Sequence, residues 1–130
     1  MRWRRSLCLF VLTRHASTRI LTPNGAHVST IIPLNDRSLP AECLVFKHST
    51  ACGVSARAAR EVQALQTGLP IYWVNVREQR DISNWIAQTY QVTHESPQLI
   101  LLKDGKPDQV WNHFRVNREL IEKALLNPAQ

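Results

Sequence analysis

The chain has 130 residues, of which 44% are hydrophobic and 20% charged, values that suit one globular domain and exclude wholesale disorder. Its formal charge of +6 is concentrated in residues 1–40, where six arginines face one aspartate, whereas residues 41–130 carry only +1. A nearly neutral domain without a stripe of basic and aromatic residues excludes nucleic-acid binding as its main role.

The N-terminal residues 1–27 contain turn-forming residues and no sustained hydrophobic periodicity. We therefore predict a basic, poorly ordered extension over 1–27 and a folded domain over 28–130. The apolar run Leu7–Leu12 is shorter than the core of a secretion signal and far too short to span a bilayer. The three cysteines form neither a disulfide framework nor a C-x-x-C pair, so we expect a cytoplasmic location and no metal site.

Strand-like and helix-like segments follow one another from residue 28 onward. "VSTIIPL" is a candidate edge strand, and "CLVF" is a continuous apolar run typical of a buried strand. Ser49 or Thr50 is the expected N-cap of the first helix, and Gly68 is its expected stop signal. "IYWVNV" predicts the next strand, and Asp81 is the expected cap of a second amphipathic helix.

The last third of the chain contains a predicted hairpin and a predicted helix. "QLILL" and "DQVWNHF" flank the Asp-Gly pair of "KDGK", the strongest short signal for a β-hairpin, and Asn117 can cap the final helix. The resulting order is β-α-β-α-β-β-α. A right-handed β-α-β crossover and an antiparallel hairpin together predict an α/β fold with one mixed four-stranded sheet flanked by helices.

Cys52 is the strongest candidate for chemistry, because it follows a strand and lies at the start of the first predicted helix. The free N–H groups and the positive end of the helix dipole stabilise a thiolate at such a position. Cys43, within the predicted strand, is interpreted as a core residue. Ser96–Pro97 stands immediately before the third main strand, where a cis proline would expose backbone to a substrate peptide.

These features resemble the thioredoxin-like superfamily. More narrowly, "LVFKHSTACGVS", "RDISNWIAQTYQVTHESPQLILLKDGK" and "VWNH" resemble the monothiol bacilliredoxin family. The resemblance implies a thioredoxin-like fold and a monothiol thiol–disulfide oxidoreductase that removes bacillithiol caps from protein cysteines. It makes Cys52 the nucleophile and gives Ser96 and Pro97 a substrate-facing cis-proline loop. Further expected site residues are Thr50, Ala51 and Gly53 for substrate binding, and Lys47 and His48 as thiolate stabilisers.

The resemblance also implies the molecules with which the protein works. No prosthetic group is expected, and bacillithiol or another low-molecular-weight thiol serves as co-substrate. S-thiolated proteins are the expected substrates, and a thiol–disulfide reductase is the expected partner. We expect a monomer that binds neither nucleic acid nor membrane.

Gly53 is a departure from this family, which typically has proline after its cysteine. "CGVS" also resembles monothiol glutaredoxins, which use glutathione and can share an iron–sulfur cluster between two protomers. The Gly-Gly turn typical of glutaredoxins is absent after Gly105. A non-catalytic binding module with a thioredoxin fold is the third interpretation.

Overall fold

A computed structural model of the chain describes residues 29–127. Its strands are β1 (Ile31–Pro33), β2 (Cys43–His48), β3 (Ile71–Asn75), β4 (Gln98–Lys103) and β5 (Lys106–Asn112). Its α-helices are α1 (Gly53–Gln63), α2 (Arg80–Tyr90) and α3 (Arg118–Leu126), and a 3₁₀ turn (His113–Arg115) follows β5. None of these described helices is long and apolar enough to cross a membrane.

The sheet has five strands in the order β1-β3-β2-β4-β5, so the predicted α/β class is confirmed while the predicted count of four strands is wrong. The additional strand is β1, the candidate edge strand, which pairs in parallel with β3. Two backbone hydrogen bonds flank this pairing, from Ile71 N–H to the Thr30 carbonyl (2.8 Å) and from Leu34 N–H to the Trp73 carbonyl (3.0 Å). A three-residue strand is too short for its sequence to reveal its partner.

Helices cover both faces of the sheet and create two core clusters. One cluster lies between the sheet and helices α1 and α3, and the other lies between the sheet and α2. Strand β2 contributes side chains to both clusters, because successive side chains of a strand point to opposite faces of the sheet. Leu44 and Phe46 belong to the first cluster, and Cys43 and Val45 belong to the second.

Helix α1 begins later and ends earlier than the sequence indicates. Its N-cap is Cys52 itself rather than Ser49 or Thr50. The Ser49 hydroxyl instead accepts a hydrogen bond from Ala51 N–H (3.4 Å) in the turn before the helix. The helix ends at Gln63, and Gly68 lies in a separate bend, so the predicted stop signal is wrong.

The other two helices show one wrong cap and one confirmed cap. Gln79 is the N-cap of α2, and Asp81 lies in its first turn, where a carboxylate still interacts favourably with the helix dipole. Asn117 caps α3 as predicted, because its side-chain oxygen accepts a hydrogen bond from Leu120 N–H (3.2 Å).

The predicted Asp-Gly hairpin joins β4 to β5. Asp104 and Gly105 both have positive φ, 52° and 73°, the conformation that a two-residue hairpin turn demands. Gly105 N–H also donates to the Ala41 carbonyl (3.0 Å), which ties the hairpin to the loop before β2. The hairpin is therefore anchored outside its own two strands.

Candidate active site

Three segments of the predicted site emerge from the same edge of the sheet. Strands β2 and β3 are parallel and β4 is antiparallel to β2, so the ends of β2 and β3 meet the start of β4. In the register, His48 pairs with Asn75, and Lys47 pairs with Gln98. The loop to Cys52 leaves this edge, and the segment containing Pro97 enters at it. The fold thus brings the predicted nucleophile and the predicted proline loop to one end of the sheet.

Cys52 combines partial exposure with a lowered pKa. Its backbone is extended (φ −119°, ψ 127°), as an N-cap requires, and its side chain is half-buried. Hydrogen bonds from Ser55 N–H, then Val54 N–H, lower the pKa of the Cys52 thiol, and the Ser55 hydroxyl adds a smaller effect. The site can therefore supply a thiolate to a reaction partner nearer to neutral pH than a free cysteine does.

Ser55 stands three residues after Cys52, where a two-cysteine redox protein would carry its second thiol. It is fully buried, and its hydroxyl oxygen accepts a hydrogen bond from Ser49 N–H (3.2 Å). Ser55 therefore holds the loop before the helix while its own N–H and hydroxyl face the sulfur. The absence of a C-x-x-C pair in the sequence gave no sign of these contacts.

The two expected thiolate stabilisers have other surroundings. Lys47 has 0% exposure, and its ammonium group donates to the carbonyl oxygen of Ser83 on α2 (3.4 Å). His48 packs between aromatic rings, parallel to Phe46 (5.6 Å between centroids) and at an angle to Trp73 (4.7 Å).

Neither Lys47 nor His48 contributes to the lowered pKa of Cys52. Burial lowers the pKa of His48, which favours the neutral form of its ring, while the charge of Glu78 has a smaller effect in the opposite direction. The side chain of Lys47 points to the α2 face because it alternates with Phe46 and His48 along β2. The lowered pKa is caused by backbone hydrogen bonding from α1, and the role of Lys47 and His48 as thiolate stabilisers stays a prediction.

The proline loop has the predicted backbone form, since the Ser96–Pro97 peptide bond is cis. Pro97 is buried, and its carbonyl accepts a hydrogen bond from His113 N–H (2.9 Å), which connects the loop to the end of β5. The hydroxyl oxygen of Ser96 is buried and has no hydrogen-bond partner among residues 29–127. Around the thiol, Thr50, Ala51 and Gly53 are exposed, as a contact surface for substrate requires.

An exposed aromatic residue that the sequence interpretation missed lies beside α1. Phe114 is 67% exposed, and the Arg57 guanidinium lies 5.9 Å from the centre of its ring. The sequence placed Phe114 at the end of a strand, but β5 stops at Asn112 and His113 has a φ of +52°. This turn redirects the chain toward α1, and no local pattern in "VWNHF" predicts the turn.

Cys43 lies in the core, as predicted. Its pKa is raised to about 12 by burial, and its sulfur lies 3.7 Å from the carbonyl oxygen of Pro40. A buried thiol of this kind is inert at neutral pH. Within residues 29–127 there is no group of three His, Cys, Asp or Glu side chains arranged to hold a metal ion.

Comparison with known protein families identifies the family of this chain. The family model described as monothiol bacilliredoxin BrxC matches residues 27–121. The chain belongs to the monothiol bacilliredoxin family. Membership confirms the resemblance carried by "FKHST", "HESPQ" and "KDGK", and it supports a thiol redox protein.

Solved structures confirm the thioredoxin fold of this bacilliredoxin. One solved protein with a thioredoxin fold is 25% identical, with a TM-score of 0.66, over 74% of this chain and 94% of its own. A thioredoxin from Halobacterium salinarum is 17% identical, with a TM-score of 0.59, covering 75% and 89%. Trxlp from Edwardsiella tarda is 21% identical, with a TM-score of 0.55, covering 74% and 98%.

Gly53 occupies the position after the cysteine, where the family typically has proline. It is the first residue of α1, and an added Cβ would meet no atom within 4 Å, so no steric contact requires glycine there. Residues 34–42, which lead into β2, contain no helix.

Proposed function

We propose that this bacilliredoxin is a monothiol exchange enzyme that removes bacillithiol, or another low-molecular-weight thiol, from capped protein cysteines. The observation that carries the proposal is the half-exposed Cys52, whose pKa is lowered by the first N–H groups of α1. Family membership supports the same chemistry. On this proposal Cys52 is the nucleophile, and Thr50, Ala51, Gly53, Ser96 and Pro97 contact the substrate.

The reaction is a single thiol–disulfide exchange. The Cys52 thiolate attacks the sulfur of the small thiol within the mixed disulfide. The bond between the small thiol and the target protein breaks as a new disulfide forms at Cys52, and the target cysteine leaves as a thiolate that takes up a proton. The pair of reactants gains or loses no net electrons, because one disulfide bond breaks as another forms.

Regeneration requires a second reaction with an outside thiol. A free small thiol attacks the cap on Cys52, which forms a disulfide of two small-thiol molecules and restores the Cys52 thiolate. A reductase then returns that disulfide to two thiols. Position 55 holds a buried serine and Cys43 is buried in the core, which favours a resolving thiol from outside the protein. Dependence on an external thiol fits a reducing compartment such as the cytoplasm.

The test is cap transfer from a bacillithiolated protein, followed on the Cys52 peptide by mass spectrometry. The wild-type chain is expected to acquire one small-thiol adduct at Cys52 as the target protein becomes reduced. Cys52→Ser is expected to abolish transfer. The matched control Cys43→Ala removes the other described thiol and is expected to retain it.

Three outcomes would contradict the proposal in different ways. Equal activity in Cys52→Ser and wild type would remove this thiol from the chemistry, and slow alkylation of Cys52 at neutral pH would favour a binding module. A brown dimer containing iron and sulfide after anaerobic purification would instead favour the glutaredoxin-like alternative.

A further inference from the structure

A second concave site lies beside the proline loop. It is a pocket of about 380 Å³, here called the basic pocket, which is lined by Val76, Arg77, Arg80, Ser83, Asn84 and His94. These residues come from the end of β3, the start of α2 and the segment before Pro97. The basic pocket therefore belongs to the same edge of the sheet as Cys52.

No carboxylate neutralises the two arginines of the basic pocket within the described part of the chain. Neither Arg77 nor Arg80 makes an ion pair with residues 29–127. Among the acidic neighbours, Asp81 faces Arg37 (3.8 Å) and Glu95 contacts His113 (3.0 Å), while Glu78 makes no ion pair with residues 29–127. The two arginines thus outnumber the one acidic neighbour without a partner, and they line a concave surface, where an anion gains most.

Further groups around the pocket reinforce this preference for anions. Behind its wall lies the fully buried Lys47, whose ammonium contacts only the Ser83 carbonyl among the hydrogen bonds of the described residues. The Ser83 hydroxyl lies 3.4 Å from His94 Nδ1, so the two side chains support each other. No side chain caps the N-terminus of α2, and its free N–H groups add partial positive charge at the same place.

The basic pocket lies within reach of a molecule held at the proline loop. His94 precedes Pro97 by three residues, and three fully extended residues span at most about 10 Å. A small thiol held at Pro97 with a body of about that length therefore reaches the wall of the pocket formed by His94. Sugar- or peptide-linked thiols with terminal carboxylates have this size.

We propose that the basic pocket binds the carboxylate-bearing end of the low-molecular-weight thiol, with Arg77 and Arg80 as charged donors. This inference rests on the proposed function and names the part of the small thiol that the protein recognises. Arginine suits the role because its planar guanidinium donates two parallel hydrogen bonds to one carboxylate. Ser83 and Asn84 offer further polar contacts at the pocket wall.

The kinetic test compares two caps on one target peptide. One cap is glutathione, which carries two carboxylates several bonds away from its sulfur, and the other is glutathione diethyl ester, in which both carboxylates are neutral. The quantity measured is the ratio of the two rates of transfer to Cys52. Arg80→Gln is expected to lower this ratio by about tenfold, the scale of one charge-assisted hydrogen bond, and the double variant with Arg77→Gln by more.

Arg60→Gln is the matched control, because Arg60 is an exposed arginine of α1 that forms no ion pair with residues 29–127. It removes the same charge at a distance from the pocket, and its ratio is expected to stay within about twofold of wild type. An unchanged ratio in Arg80→Gln, or an equal fall in Arg60→Gln, would overturn the proposal.

A binding test separates this proposal from the exchange chemistry. Cys52→Ser protein is titrated with malate, and backbone amide shifts are followed by NMR at constant ionic strength. Saturable shifts confined to residues 76–84 and 94 are expected, and they disappear in Arg77→Gln/Arg80→Gln. Shifts no larger than those from chloride, or equal shifts with inorganic phosphate, overturn a carboxylate site even if Cys52 exchanges caps. Conversely, inert Cys52 with intact malate binding would reject only the proposed function.

Discussion

At the scale of single residues, the Cys52 thiolate depends on backbone donors rather than on neighbouring cations. Ser55 N–H and Val54 N–H lower its pKa, whereas Lys47 and His48 face other surroundings. Backbone donors at a helix start are fixed by the helix itself, so they need no flexible side chain to be ordered. The reactivity of this site is therefore a property of how α1 begins.

Ser55→Ala tests the contribution of the one side chain that contacts the sulfur. We expect the pKa of Cys52 to rise toward its ordinary value while remaining below it, because both backbone donors stay. The free energy of unfolding should fall by about 1 kcal/mol, since Ser49 N–H loses its acceptor. The measurements are the pH dependence of Cys52 alkylation and urea unfolding. Ser83→Ala, another buried serine, should leave the thiol pKa unchanged.

Gly53→Pro restores the residue typical of the family at the first position of α1. The Cys52 backbone is already extended, as a residue before proline requires, and Gly53 N–H donates no hydrogen bond within residues 29–127. We expect the free energy of unfolding to increase by about 0.4–1 kcal/mol, because the unfolded chain loses conformational freedom. Urea unfolding measures this change. Destabilisation by Gly53→Pro but not by Gly53→Ala would show that the N–H is used.

At the scale of elements, β2 presents its two faces to different environments at its functional end. Phe46 and His48 pack with Trp73, whereas Lys47 is buried toward α2 beneath the basic pocket. Burial lowers the pKa of Lys47 to about 8 from an ordinary value of 10.5. One strand thus supplies the loop to the nucleophile and a buried cation on the opposite face.

Lys47→Met should change how stability depends on pH. Between pH 8 and 10.5 the unfolded chain keeps a proton that folded Lys47 has released, so the free energy of unfolding rises with pH in this window. The full rise is on the order of 3 kcal/mol. We expect Lys47→Met to lack it, as measured by urea unfolding at several pH values.

The buried Cys43 opposes this rise above pH 9, because its raised pKa makes the unfolded chain lose a proton first. Wild type and Lys47→Met share Cys43, so the difference between their two profiles isolates Lys47. A difference that does not vary between pH 8 and 10.5 would show that Lys47 is not buried as described.

At the scale of the whole molecule, the short strand β1 is held at the edge of the sheet by contacts from the residues that precede and follow it. Leu34 is only 3% exposed and belongs to the cluster beneath α2. Its carbonyl accepts a hydrogen bond from Gln79 Nε2 (2.7 Å), and the Ser29 hydroxyl donates to the Leu65 carbonyl. The edge strand therefore connects the start of α2 with the end of α1.

Leu34→Ala should reveal how strongly β1 is attached. We expect the free energy of unfolding to fall by about 2–4 kcal/mol, as for other leucines removed from a packed core. The measurement is urea unfolding with an unchanged m-value. Leu126→Ala is the matched control, because Leu126 is highly exposed and its truncation should cost little. Equal effects of the two variants would place β1 outside the cooperative core.

Much of the fold could be predicted because its signals are local. The apolar run of β2, the Asp-Gly turn and the Asn117 cap each act within a few residues. The direction of Lys47 could not be predicted, since the buried run of β2 has no polar alternation to mark its faces. The basic pocket combines Arg77, Arg80 and His94 from separate segments, and only the strand register brings them together.

The hydrogen bond from Ser49 N–H to buried Ser55 has a consequence for how the protein responds to its surroundings. If Cys52 accepts a cap as proposed, no described neighbour can remove it, because Cys43 is sealed in the core. As far as residues 29–127 are concerned, removal of the cap therefore depends on a thiol from outside this part of the chain. At steady state the capped fraction follows the ratio of oxidised to reduced small thiol around the protein. On the proposed function, a protein with serine at position 55 and a single accessible described thiol therefore reports the redox state of the small-thiol pool through the capped fraction of Cys52.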